Sequence, residues 1–449
     1  MSRTSSETAG RPSFARVFVV SVVVLALLCA GLIALAVVQG PRLQGGQLGG
    51  QQLRLFVNQA VAQVDAGQVT VDPETPVSVE TAGDVITVLF DRPLDYDADY
   101  RVTVAGVTSS SLARPATLEY AFTTASPSFF WLDRGEPVDA ILRSSLDAAG
   151  GERVFEATGI QDFALLDGIL AVATAEGRAS RLDLVSLTDG AVERLRLPEG
   201  VVLQRLGTAG SRLVFTLADA QAGPGAGLET LYAIDLQQSR EPVAVLGIDG
   251  EPVTALAWEP IPGTGDLLAL DTDRTLLRVG AAGPVPLGRF QDLISVGVGG
   301  TTAVVDDAGG RLLLSLADGA TEPMSVSPVD GAEVPAGDIR VLPDGTTVAK
   351  ALLVADGGAR FSPVMVHDDG TESRIVYRTV EDRGSIGEFQ LSPNGQLVVA
   401  EVVPDNALAE SDGSIVDPRA TSVTTVLVDA RTGAPVRSLD GFGLVWAAP

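Results

Sequence analysis

Cysteine and histidine are almost missing from this chain, which has one of each in 449 residues, Cys29 and His367. Disulfide scaffolds, Cys/His zinc sites and thiol catalysis all need such side chains in groups or with partners, so none of them fits. Lysine is just as scarce: Lys350 is the only one, and arginine supplies the rest of the 31 basic groups, a bias that suggests a GC-rich bacterial source. Against these stand 57 acidic groups, for a net charge of −26. Phosphate backbones and anionic lipid surfaces call for a basic footprint, so nucleic acid is not expected as a partner. What the chain has in plenty is apolar material, 46% of residues against 20% charged, enough for packed cores and too much for wholesale disorder. Glycine (49) and proline (26) make it turn-rich without a period, and the length predicts several domains.

One long hydrophobic run stands out. Val17 to Val38 is 22 positions without a charge, roughly 33 Å as a helix and enough for a bilayer core. Arg3, Arg11 and Arg16 precede it and only Arg42 follows closely, so the positive-inside rule leaves residues 1–16 as a cytoplasmic tail and exports the rest. The expectation is a single-pass signal anchor in the cell membrane. Two rivals are a cleaved signal peptide, for which Ala34-Leu35-Ala36 offers a site, and a lipoprotein modified at Cys29. Leu28 before that cysteine is not small, and Cys29 reads more simply as a small apolar residue within the helix. The exported part carries 28 basic against 56 acidic groups and no cysteine, so packing must hold it together. Residues 39–52 (QGPRLQGGQLGGQQ), rich in glycine and glutamine, read as a flexible linker.

From Leu53 the period is that of strands. VTV (69–71), VSVE (77–80), VITVLF (85–90), YRVTVAGV (100–107) and LEYAFTT (118–124) alternate or run apolar between Pro, Gly and Asp turns. No amphipathic helix of ten or more residues follows Val38, so the exported region is all-β. Residues 53–125 fit a small sandwich. Val69-Thr70-Val71-Asp72-Pro73, Phe90-Asp91-Arg92-Pro93-Leu94, the strand Tyr100–Val104 and the closing Phe122-Thr123-Thr124 resemble bacterial Ig-like domains of the SbsA type. That resemblance implies a spacer or adhesive module of envelope proteins and no particular site.

Residues 126–449 are punctuated by Asp-Gly or Asn-Gly at eleven places from Asp167 to Asp440. Such pairs suit type I′ hairpins, where both central residues need positive φ. One unit shows the plan: Ile160–Leu166, a turn at Asp167-Gly168, a second strand, a loop, then Ser180–Leu187 and a turn at Asp189-Gly190 before a fourth strand. First strands recur near Ile160, Val201, Val253, Gln291, Asp338 and Ile386, spaced 41, 52, 38, 47 and 48 residues apart, which are propeller-blade periods. Ile339–Val354 and Phe389–Val403, each with a Pro-Asp/Asn-Gly turn, resemble TolB-like and WD40-like repeats without Trp-Asp signatures. Residues 129–156 offer three strands and no first one, and Phe442–Trp446 offers a spare. Pairing them predicts a seventh blade and removes two open sheet edges. Six or eight blades are the alternatives.

Candidate chemistry is thin. His367 in VMVHDDG has no second ligand, and a Ser-His-Asp hydrolase would need a Gly-x-Ser-x-Gly elbow that is missing. Asp95, Asp97 and Asp99 begin like a calcium loop, but Tyr100 stands where glycine belongs and Gly106 where the bidentate acid belongs. Asp271, Asp273, Asp306 and Asp307 sit in hairpins. Calcium is thus the one cofactor left open, and no catalytic, cofactor-binding or metal residue is assigned. The irregular segment Pro404–Thr421 is either a surface insertion or a binding loop on the channel rim, with Asp405, Asn406, Glu410, Asp412, Asp417 and Arg419 as its candidate residues. Trp131, Asp133 and Trp446 are expected near the closing blade. The expected function is a non-catalytic, membrane-anchored extracytoplasmic binding or scaffold protein of the bacterial envelope, with a protein or glycan partner. The alternatives are an exported polysaccharide hydrolase with a carboxylate pair in the propeller channel, and a mechanical spacer or sensor. Oligomeric state is not readable.

Overall fold

The computed structural model describes residues 18–19, 21–28, 40–110, 114–135, 137–221, 229–355 and 360–447. Of the expected membrane segment, Phe18, Val19 and Ser21–Leu28 are helical and exposed; its remaining positions, like the tail 1–16, lie outside the described residues. Among the described residues no helix is long and apolar enough to cross a membrane. Beyond Gly40 every described regular element longer than a three-residue helical turn is a strand, so the chain there is all-β. It divides into two compact units, one reaching Arg92 and including Ala98–Thr124, the other comprising Pro93–Asp97 and the chain from Ala125 onward.

The first unit has two antiparallel sheets, one in the order Leu43–Gly49, Gln52–Val57, Val85–Phe90, Val77–Ala82, the other Val69–Asp72, Asp99–Val107, Ala116–Thr123. Alternation decides what is buried: Leu53, Leu55 and Val57 point inward from one strand, Ile86, Val88 and Phe90 from its neighbour, Tyr100, Val102 and Val104 from the other sheet. The expected linker 39–52 is corrected here. Leu43–Gly49 is the edge strand of the first sheet and pairs with Gln52–Val57, so the unit begins ten residues before Leu53. Its glycines make room and do not supply slack. A Cβ on Gly46 would meet the Tyr120 ring at 2.7 Å, and the Tyr120 hydroxyl donates to the Gly46 carbonyl at 3.0 Å.

The second unit contains, among the described residues, seven four-stranded antiparallel sheets. Six are built of consecutive strands whose first members start at Ile160, Val201, Ala255, Asp292, Ala336 and Ser385, each within two residues of the start read from the sequence. The remaining sheet takes Ser128–Asp133, Asp139–Ser145 and Glu152–Ala157 from the start of the unit and Phe442–Trp446 from the end of the chain. Phe442 pairs with Leu132, Val445 with Phe130 and Trp446 with Phe129. We number the blades from this closing sheet as the first. Apolar clusters join the second sheet to the third, the third to the fourth, the fourth to the fifth and the sixth to the seventh, and the closing sheet packs on the second blade through Phe130, Phe163 and Phe442 and on the seventh through Phe129, Trp131, Leu397 and Leu427. The ring is therefore shut. Phe129, Phe130, Trp131 and Leu132 are all buried in one run, because a blade strand is covered on both faces.

The turn chemistry differs from the type I′ expectation. Among the described pairs only Asp167-Gly168 and Asp330-Gly331 have both residues at positive φ. At Asp189, Asp249, Asp318, Asp344 and Asn394 the first residue is not at positive φ, and its side-chain oxygen accepts the amide two positions on. Asp and Asn are chosen there for that local bond, and the glycine supplies the positive φ.

Candidate functional site

Each of the seven first strands carries one extra residue relative to the strand it pairs with, at corresponding positions: Gln161, Gln204, Leu256, Ile294, and within 337–338, 387–388 and 443–444. A bulge breaks the alternation and turns neighbouring side chains to one face. As a result 161–163, 204–206 and 388–390 each place three successive residues on the wall of one cavity along the propeller axis, of about 620 Å³, lined by the first strands of six of the seven blades.

Side chains from these strands also clasp blade to blade. Asp162 accepts amides from its neighbour Phe163 and from Leu206 of the third blade, at 2.7 Å each. Arg205 donates to the Trp258 carbonyl, Ser295 to that of Ile339, Arg340 to that of Ile294 at 2.9 Å, and Gln390 to that of Leu444. Arg134 joins the closing blade to the second by donating to the Ile160 and Gln161 carbonyls at 3.0 and 2.9 Å. Arginine suits this task because its fork of donors stays charged and reaches more than one acceptor.

The segment Pro404–Thr421 joins the second and third strands of the seventh blade and folds into the channel mouth. Val416 is buried and lines the cavity. Asp412 pairs with Arg134 at 2.6 Å, both side chains 8% exposed, and its other oxygen accepts the Ser414 and Arg419 amides. Arg419 reaches inward to Asp417 at 2.8 Å, Glu388 at 3.2 Å and Glu401 at 3.4 Å. Phe442 lies between two guanidiniums, Arg134 at 4.7 Å and Arg419 at 5.5 Å from its ring centre. Of the candidate loop residues, Asp412, Asp417 and Arg419 are thus brought together. Asp405 caps a short helical turn through the Ala407 amide, Asn406 accepts the Ser385 hydroxyl, and Glu410 is exposed, so these three stay outside the cavity.

Burial raises three of the channel carboxyls. Burial pushes Asp162 up to about 6 against the two amide bonds that pull it down. Burial also raises Glu401 and Asp417, with Arg419 opposing in both cases. Asp162, Arg205, Glu388 and Glu401 were not singled out from the sequence. The signal for two of them was there, in adjacent polar residues interrupting an apolar first strand: Gln161-Asp162 and Gln204-Arg205.

The other candidates do not form sites. His367 lies on the strand Arg360–Asp368 opposite Val348 and Arg374; burial lowers its pKa, and Arg374 adds to that. Asp99 accepts the Thr123 hydroxyl and Asp97 holds a left-handed turn. Asp271, Asp306 and Asp307 bond the Thr275 amide, Arg311 and the Gly309 amide. Among the described residues no three His, Cys, Asp or Glu side chains converge as a metal site would require. Trp131 and Trp446 belong to the closing sheet, where Trp131 Nε1 donates to the Asp440 carbonyl at 2.9 Å.

No protein-family model matches the sequence, and no curated protein matches it. Solved structures similar to the chain include TolB from Acinetobacter baumannii, with 12% identity, TM-score 0.39 and 86% of each chain covered. A putative TolB from Agrobacterium tumefaciens matches at 12% identity and TM-score 0.35 over 71% of this chain and 91% of that one. Oligogalacturonate lyase from Vibrio parahaemolyticus matches at 10% identity and TM-score 0.41 over 65% and 84%. These neighbours are TolB-like and β-propeller proteins, the class that the repeats resemble.

Proposed function

We propose that this chain is a non-catalytic binding or scaffold protein of the bacterial cell envelope. In this reading Val17–Val38 holds it in the membrane with the N-terminus cytoplasmic, an Ig-like module spaces it, and the propeller face bearing Pro404–Thr421 engages a protein or glycan. The observation that carries the reading is the axial cavity of about 620 Å³, in the size range of ligand sites and partly roofed by an insertion that belongs to no blade. The hydrolase alternative is not favoured, because Glu388, Glu401 and Asp417 are all ion-paired with one guanidinium, so no two of them stand free to act as an acid and a nucleophile or base across a sugar bond. The full chain in detergent should retain a partner from solubilised envelope, and Glu388→Lys, at a solvent-facing side chain, should release it. Equal retention by both, or a chain recovered without membranes on cell fractionation, would overturn the reading.

A further inference from the structure

The cavity is unbalanced. Seven carboxylates line it against three guanidiniums. Two of those cations serve the blades, Arg205 through the Trp258 carbonyl and Glu259, Arg340 through the carbonyls of Ile294 and Phe389. The third, Arg419, comes from the insertion and is, among the described residues, the cation ion-paired with Glu388, Glu401 and Asp417. Its fit is incomplete. Glu401, 9% exposed, meets Arg419 only through an ion pair at 3.4 Å, in which its Oε2 makes no hydrogen bond, and the buried Nε of Arg419 makes none either. Glu388, by contrast, is 73% exposed along its side chain, so an incoming group can meet it without opening the fold.

We propose that this cluster is a receptor for a guanidinium or ammonium group, presented by an arginine-bearing segment of a partner protein, and that Arg419 fills the position until the ligand displaces it. The proposal deepens the reading of the channel face as the binding face and rests on it. An acidic pocket with low-dielectric walls concentrates cations, a planar fork can satisfy two carboxylates at once, and Phe442 already serves as a face for two guanidiniums. Because the occupant is tethered, releasing it costs the ligand some affinity, and removing it returns that affinity.

The test is calorimetry on the full chain in detergent at pH 7.5, using an end-blocked Gly-Ser-Arg-Ser-Gly peptide, its citrulline counterpart, N-acetyl-arginine amide and spermidine. The arginine peptide should bind at least about tenfold more tightly than the citrulline peptide, and severalfold more weakly as salt rises from about 50 to 200 mM. Arg419→Gln should tighten it about tenfold, Arg419→Lys should behave as wild type, and Glu388→Gln should weaken it about tenfold. Peptide binding above that of arginine amide and spermidine supports a protein source; equal binding by all three overturns that source. Equal binding of the citrulline peptide, no binding to wild type and Arg419→Gln alike, or an unchanged affinity in folded Arg419→Gln overturns the receptor. If the envelope partner is lost in Glu388→Lys while no peptide binds, this inference fails and the binding-face reading stands; if peptides bind and no partner is retained, the reverse holds.

Discussion

In the second blade four strands follow one another from Ile160 to Leu195, and Leu166 pairs with Ile169 across a two-residue turn. In the closing blade Phe442 pairs with Leu132, 310 positions earlier. Joining ends that far apart costs about 3 kcal/mol more than closing a loop of some ten residues, and no turn fixes the register. Side chains do that work instead. The run Phe129–Leu132 is buried on both faces, Trp131 bonds the Asp440 carbonyl, and Arg437 from the seventh blade donates to the Ser145 and Gly150 carbonyls. A local sheet inherits its pairing from chain order, whereas the closing sheet specifies it through clamps and aromatic packing. Damage at the closure should therefore reach the whole ring, and damage elsewhere should cost only what it removes.

The hardest way to break this comparison is to delete Phe442–Pro449. Buried Phe442 and Leu444 go with it, as does the Gly443 amide on Glu401, a loss on the order of 5 kcal/mol or more, similar to a whole domain's stability. Calorimetry should show no cooperative propeller transition. A subtler probe is the pair Phe129→Ala and Phe215→Ala, both fully buried, one in the closing sheet and one in the third blade. Each should cost about 3–5 kcal/mol, but only Phe129→Ala should lower the denaturant slope, by letting the ring open before it unfolds. Equal slopes would erase the distinction.

Asp412→Ala tests the clamp at the joint between the closing and second blades. It strands the buried Arg134 and should cost about 3 kcal/mol, most of it recovered in Asp412→Ala with Arg134→Met. Failure of the double variant to recover would mean that Arg134 matters for its carbonyl bonds and not for its charge. The smallest effect expected is one of pH. Asp162 titrates near 6 in the fold, above its ordinary 3.8, so the folded state holds that proton more tightly than the unfolded one. The contribution is fully present below pH 4 and is lost as pH rises through about 6; discounted for the solvent its partly exposed side chain still meets, it amounts to on the order of 2 kcal/mol. The melting temperature of wild type should fall relative to that of Asp162→Asn, which has no such proton to lose, as pH rises from about 4 to 7, and parallel curves would refute the assignment.

The blades were legible because turn residues and apolar strands repeat, and the closure because a strand was missing at one end and spare at the other. Residues 39–52 misled because glycine means slack in an isolated chain and room for Tyr120 in a sheet. The type I′ reading misled because Asp-Gly serves two turn geometries that only the backbone distinguishes. Loop residues of one composition divided between the cavity and solvent, since what draws Asp412 and Arg419 inward is Arg134 and the Glu388–Glu401 pair, which lie elsewhere in the sequence. The bulges left only a faint trace, as polar pairs inside apolar strands.

Fastening blade to blade with guanidiniums has a practical side. Apart from a free N-terminal amine, an acylating reagent has one target in the whole chain, Lys350, itself tied to the Gly387 carbonyl and Asp338. Amine-coupled surfaces would hold the molecule in one or two orientations, and amine-directed cross-linking would map almost none of its neighbours. Carbodiimide chemistry at the plentiful carboxyls is the handle this protein offers.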